Sequence, residues 1–411
     1  MTNGRDGILL ASWAHRAAPR FCEVRRQLSV VAAMFTVAAI LAVTADAGYA
    51  QEHPWLEDTV VVSNNGAILG GSVETFPPGS HDNAKPSLEV KGNKTLLGAG
   101  GVQGDALSSF DGHIVVTSSA ANLVMSFGPG SNGNTEPDTT LIGSGDGSSP
   151  TGIIIPQGAS FQNPVVSGED IFANSNFGNI VVADFNNLNG CPNKGFTIGS
   201  ITEFRRTDTL FHEPLNNSPV FELPFSEVPP VVEVNATIAG CDTVLFGPIG
   251  LAFESNNDLW VADNLLPGLT KYPAGAFGDA PPIDIVGLFA PTKGDLVDPQ
   301  YVAVNGEGTE LYVSEPSLNR IRIFDVHIPF DATLISTISG KGSKLNRPMG
   351  IAFGGSNLDD LYVVNNGDNS LLEFDDPPFV TPAAVIRQDN RNKRVGRTHL
   401  NLPVGVALKQ F

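Results

Sequence analysis

The chain has 411 residues, 41% of them hydrophobic and only 16% charged, which leaves room for a sizeable core and excludes a disordered acidic tail protein. Its 44 glycines and 30 prolines, with few strong helix formers in succession, favour a mostly β chain. Against 24 basic residues stand 43 acidic ones, a net charge of −19, whose sign repels phosphate backbones and excludes general nucleic-acid binding.

At the N-terminus, Arg25 and Arg26 precede an apolar run from Leu28 to Val43, and small residues follow to Ala47-Gly48-Tyr49-Ala50. Basic flank, apolar core and small residues before a cut are the pattern of a secretory signal. The run is shorter than the ~20 residues of a membrane span. Residues 1–50 are therefore expected to be a signal peptide and residues 51–411 the folded domain, placed in the periplasm or secreted. An uncleaved anchor is the competing reading. No other stretch is long and apolar enough to span a bilayer. Removing five arginines and three acids with the signal leaves 19 basic and 40 acidic residues, a net −21.

From Thr59 onward one pattern recurs: an apolar run, a polar turn, and a second run ending in an aromatic. It opens with Thr59–Asn64 and Val73–Phe76, then Ile114–Ser118 and Leu123–Phe127, then Ile180–Asp184 and Ile201–Phe204. It continues with Leu259–Asp263 and Leu269–Tyr272, Leu311–Glu315 and Ile321–Phe324, and Leu361–Asn365 and Leu371–Phe374. In the late copies a further strand precedes the pair, as in Pro248–Phe253, Pro299–Val304 and Pro348–Phe353. A fourth follows the aromatic, as in Ile283–Val286, Leu334–Ile338 and Ala383–Ile386. Four short strands every 50 residues or so is the period of a propeller blade. The second and third copies would begin at Gly104–Leu107 and Gly168–Ile171. The chain ends with an orphan first strand, Pro403–Leu408, which can complete the blade that Thr59 opens. The expectation is an all-β, six-bladed β-propeller whose C-terminal strand closes the first blade, with two β-sandwiches as the alternative.

The P-x-G-apolar-A strand, the [LI]-Y-V-x-[ND] strand and the third strand ending in Phe or Tyr resemble the NHL-repeat family of β-propellers. The Phe-Pro-x-Gly-Ser link with a following Asn and Pro, here Phe76–Ser80 with Asn83 and Pro86, resembles its bacterial exported members. Phe127-Gly128-Pro129-Gly130-Ser131 with Asn134 and Pro137 follows suit. The resemblance covers nearly all of residues 55–411 and implies the fold far more strongly than any function.

Such a blade places its fourth-to-first links and second-to-third turns on one face, here the top. Six polar side chains end the second strands there: Asn64, Ser118, Asp184, Asp263, Glu315 and Asn365. Asp105 and Glu169 stand where other copies carry Leu251, Val302, Ile351 or Val406. Oxygen donors in this arrangement suit a hard cation such as Ca²⁺. More distantly, the set resembles the metal centre of gluconolactonase-type propellers, which implies a metal with Asp105, Glu169, Asp263 and Asn365 as ligands and a nearby carboxylate as base. The competing reading has each residue capping a turn. Asp105, Glu169, Asp184, Asp263, Glu315 and Asn365 are thus the candidate ligand-binding residues. No cofactor is implied beyond calcium.

No histidine pair shows metal-ligand spacing, which disfavours a zinc site, and no G-x-S-x-G elbow is present. Cys191 and Cys241 both fall in top-face loops, so an exported chain is expected to join them; with 49 residues between them, the loop-entropy model gives at most about 4 kcal/mol. Arg387, Arg391, Lys393, Arg394, Arg397 and His399 form one basic cluster in the last link, suited to an anionic ligand or to solvent. The insertion from Arg205 to Pro230, with Phe211, Phe221 and Phe225, reads as a packed loop or partner surface. The leading function is a monomeric binding scaffold for an unknown small molecule or protein; the alternative is a calcium-dependent hydrolase or lactonase.

Overall fold

The computed structural model describes residues 56, 58–66, 70–98, 102–107, 112–119, 122–142, 156–161, 180–187, 198–204, 234–287, 296–328, 332–355, 359–375, 377–378, 381–387 and 397–408. Residues 1–50, Glu169, Cys191, the span 205–230 and Arg391, Lys393 and Arg394 lie outside them. The domain described occupies the compact unit His53–Phe411.

Among the described residues, 24 strands form six four-stranded antiparallel sheets. Sheet 1 holds β1 (Val60–Asn64), β2 (Ser72–Phe76) and β3 (Leu88–Val90). Sheet 2 runs β4 (Val102–Leu107), β5 (Ile114–Ser118), β6 (Leu123–Phe127), β7 (Thr139–Ile142). Sheet 3 runs β8 (Pro156–Phe161), β9 (Ile180–Asn187), β10 (Ile198–Phe204), β11 (Val234–Ile238). Sheet 4 runs β12 (Pro248–Phe253), β13 (Leu259–Asp263), β14 (Gly268–Tyr272), β15 (Asp284–Gly287). Sheet 5 runs β16 (Val302–Val304), β17 (Glu310–Glu315), β18 (Arg320–Asp325), β19 (Thr333–Ile338). Sheet 6 runs β20 (Pro348–Gly354), β21 (Asp360–Asn365), β22 (Ser370–Phe374), β23 (Ala384–Arg387). The last strand, β24 (Pro403–Leu408), returns to sheet 1 and pairs with β1, Val62 opposite Val406.

First strands contact one another in the order β24, β4, β8, β12, β16, β20 and back to β24. The chain is an all-β propeller. A second seam repeats this arrangement at the rim. In sheets 2 and 4 the link from third to fourth strand lies on the outer strand of the preceding sheet, in the parallel bridges Val90–Gly133 and Ile238–Gly278. The same bridge joins Asp82 to Ile386, with Asp82 N–H donating to Val385 O and Arg387 N–H to Asp82 O.

The core lies between sheets. One apolar cluster joins Val60, Val62, Phe76 and Val406 of sheet 1 to Tyr362, Val364 and Leu371 of sheet 6. Others join sheets 1 and 2, 3 and 4, 4 and 5, and 5 and 6. A strand covered on both faces has no polar side, which is why Val60-Val61-Val62 and Leu361-Tyr362-Val363-Val364 read as continuous apolar runs. Close to the axis glycine is required. A Cβ on Gly350 would sit 2.8 Å from Gly405 Cα, Val404 O and Val406 N, and one on Gly250 would sit 2.5 Å from Gln300 O. Neighbouring first strands meet backbone to backbone there, and backbone cannot yield as a side chain can.

One expected strand is corrected. The first strand of sheet 3 is β8, which pairs Phe161 with Ile180 and Ala159 with Val182, and not Gly168–Ile171. Pro156-Gln-Gly-Ala-Ser-Phe161 carries the same P-x-G spacing as β12, β20 and β24, but polar Gln157 and Ser160 break its apolar run. Gly168–Ile171, with Glu169, lies outside the described residues.

Candidate functional site: the top face

The ends of the second strands are built alike. Antiparallel pairing sets four of them opposite the proline that starts the first strand of their own sheet, Asp184 with Pro156, Asp263 with Pro248, Asn365 with Pro348 and Asn64 with Pro403, whereas Ser118 faces Val102. Proline has no N–H for the ladder. Just before it, the incoming link holds backbone donors without a strand partner, and the polar side chain takes them.

Asp263 Oδ2 accepts from the N–H groups of Phe246 (2.6 Å) and Gly247 (2.8 Å), and Oδ1 from Leu266 N–H (3.0 Å). Burial raises its carboxyl above the ordinary value, opposed by these backbone donors. Asn365 Oδ1 accepts from Asn346 N–H (3.0 Å), while its Nδ2 donates to Lys344 O (3.0 Å) and Ser370 Oγ (2.9 Å). Asn64 Oδ1 accepts from Asn401 N–H (2.9 Å), and its amide donates to Glu74. Glu315 Oε1 accepts from Val297 N–H (2.7 Å); its Oε2 accepts from Arg320 Nε (2.6 Å) and lies 3.3 Å from Arg322 Nε.

All of these side chains are buried. Asp184 is buried too and accepts from Thr202 Oγ1 at 3.4 Å. Ser118 Oγ is buried without a partner among the described residues. Asp105 stands in β4 opposite Val116. Chemically, Asp263, Glu315 and Asn365 are pins. Their oxygens already hold backbone or guanidinium donors, which does not fit a cation that wants six to eight free oxygens. Among the described residues, no three His, Cys, Asp or Glu side chains are grouped to hold a metal ion.

A second device in the links was not anticipated from the sequence. Thr95, Thr243 and Ser343 each donate a hydroxyl to the carbonyl three residues back, of Gly92, Gly240 and Gly340 (2.7–2.8 Å). Each then accepts from the N–H of a buried leucine two residues on, Leu97, Leu245 and Leu345. The residue between adopts positive φ: Leu96, Val244, Lys344. The signal is the spacing G-x-x-[ST]-x-L, which turns each link sharply and sends its middle side chain outward.

Outward from the pins, Leu265, Val297 and Leu318 are 56%, 51% and 44% exposed. Of the basic cluster, Arg387 is exposed with Nη2 3.2 Å from Asp368 Oδ2, Arg397 is exposed, and His399 Nδ1 lies 3.0 Å from Glu89 Oε2. Cys241 lies in the link from β11 to β12.

No family model matches the sequence, and no curated protein matches it. Among solved structures it is similar to a protein of unknown function from Bacteroides caccae, with TM-score 0.50, 11% identity, and 86% of this chain and 99% of that chain covered. A chain of a nidogen/laminin complex follows at TM-score 0.49 and 12% identity, covering 86% and 99%. The Cps50 (Swd1) beta-propeller domain of Myceliophteria thermophila gives 0.44 and 10%, covering 80% and 86%. At such identities the likeness concerns the fold alone.

Proposed function

We propose that the chain is an exported, monomeric, six-bladed NHL-like propeller that acts as a binding scaffold through its top face. The observation that carries this reading is the inward commitment of the ring side chains. Asp263, Glu315 and Asn365 spend their polar atoms on holding the link backbones, so contact with a ligand falls to the side chains that those links project. A fixed scaffold under variable loops is the ordinary arrangement of a binding surface. The hydrolase alternative gains no support from the described carboxylates. The six-bladed reading is supported by the unbroken circuit of first strands. A Cys191–Cys241 disulfide belongs to the same proposal and is supported by Cys241 being disulfide-bonded.

Glycan and peptide arrays test the reading. They are to be probed with the parent chain, with the face variants Leu318→Asp and Arg347→Glu, and with Phe277→Asp, whose side chain is 74% exposed in the link between β14 and β15. Loss of array signal with the face variants alone is expected. Loss with Phe277→Asp alone would move binding off the top face.

A further inference from the structure

The top of sheets 5 and 6 departs from the acidic character of the chain. The link from β19 to β20 carries three exposed cations, Lys341, Lys344 and Arg347, and no acid from Ser339 to Arg347. Arg397 is exposed in the link from β23 to β24. Among the described residues, none of these four pairs with a carboxylate. Among the described residues the acids of this region are engaged: Glu315 is buried against Arg320, Asp368 takes Arg387, and half-buried Asp298 accepts from Ser317 N–H. Over sheet 1 the pattern is the opposite, with Lys91 3.7 Å from Glu89 and Lys94 3.2 Å from Glu136.

Hydrogen bonds make the cationic links and the apolar tips one surface. Arg347 N–H donates to Asn319 Oδ1 (2.7 Å), next to exposed Leu318. Ser317 N–H donates to Asp298 Oδ2 (2.8 Å), next to exposed Val297. The turn carrying Leu265 adjoins the same link, since a Cβ on Gly287 would sit 2.9 Å from Pro267 O and 3.5 Å from Leu296 Cδ1. Leu318 thus stands beside the cationic link, and Val297 and then Leu265 continue the surface away from it.

We infer that this patch docks the propeller, top face down, onto a lipid surface bearing anionic headgroups; this deepens the binding reading above and rests on it. Apolar tips beside cations are the composition of interfacial surfaces, where the tips enter the headgroup boundary and the cations meet the phosphates. Recognition of an acidic protein would favour arginine forks held in place for bidentate carboxylate pairing. The arginines held in place here, Arg320 and Arg387, are already taken by Glu315 and Asp368. The acidic remainder of the chain would be repelled by the same membrane, which fixes the orientation.

Sedimentation with phosphatidylcholine vesicles, with and without phosphatidylglycerol, tests this on the full chain. The apolar segment 28–43 is common to all variants and cancels in the comparison. The parent is expected to prefer the anionic vesicles. Lys341→Glu/Lys344→Glu/Arg347→Glu is expected to weaken that partitioning by at least about 100-fold, from about fivefold for each cation near an anionic surface. Lys85→Glu/Lys91→Glu/Lys94→Glu, with the same change in net charge, should leave it nearly intact. A tryptophan introduced by Leu318→Trp should blue-shift on anionic vesicles, a readout independent of the triple variants. Equal partitioning of the two triples, no preference of the parent for anionic vesicles, or an unshifted Leu318→Trp overturns the inference. Poly-glutamate serves as a second probe. Binding to it through the same three cations, with vesicles ignored, overturns the lipid assignment yet leaves the binding-face reading standing, and that reading has its own test in the array comparison.

Discussion

Replacing Asp263 by alanine separates a pin from a metal ligand. The substitution strands the Phe246 and Gly247 N–H groups, which met one carboxylate oxygen at 2.6 and 2.8 Å, and releases Leu266 N–H. A buried donor left without a partner costs about 1–3 kcal/mol. Two of them give about 4 kcal/mol, and relief from burying a carboxylate held above its ordinary pKa returns part of that. The expected loss is about 3 kcal/mol, or about 4 °C in Tm for a domain of this length. Asp263→Asn should lose less, because Asn365 does the same work in sheet 6 with one accepted and two donated bonds. Calorimetry of parent and variants, with and without chelator, is the assay. An unchanged transition in Asp263→Ala would refute the reasoning. So would a parent that calcium stabilises beside a variant that calcium does not.

Two further perturbations follow from the packing. Burial holds the Glu74 carboxyl well above its ordinary 4.5, so the folded state binds the proton more tightly than the unfolded chain. Its contribution is then fully present below about 4.5 and is lost as pH rises through the folded value. Glu74→Gln should match the parent in acid and exceed it in urea stability at pH 7; a parent that gains on the variant as pH rises would contradict this. Gly350→Ala should lose about 1–3 kcal/mol, since the new methyl meets only the backbone of β24. Gly98→Ala, where nothing lies within 4 Å, should be neutral, and equal denaturation midpoints for the two variants would count against the close approach of first strands.

The propeller was legible because burial on both faces makes strands unusually apolar, and runs such as Leu259–Asp263 and Leu361–Asn365 recur with their polar ends in register. Sheet 3 was partly missed for the same reason. Gln157 and Ser160 remove the apolar run from β8, and the proline and glycine that remain were too weak a signal alone. The ring residues were found by position, but their role was not readable. The link N–H groups that Asp263, Glu315 and Asn365 hold lie 16–19 residues earlier, in links whose course depends on the assembled sheet. The G-x-x-[ST]-x-L turn was present in three links and is recognisable only once the positive φ at its fifth position shows why the spacing matters. Exposure was the least legible property: nothing in sequence separates Leu318 on the surface from Leu311 in the core.

The pairing of β24 with β1 also sets the order of events in assembly. Until Pro403–Leu408 has been made and released, sheet 1 has three strands, and the backbone of β1 offers an open edge. A second molecule whose own last strand is made but not yet paired can supply the matching segment, so reciprocal exchange of the last strand gives an intertwined dimer with both sheets filled. Slow delivery of the C-terminus would then yield swapped pairs in place of closed single rings.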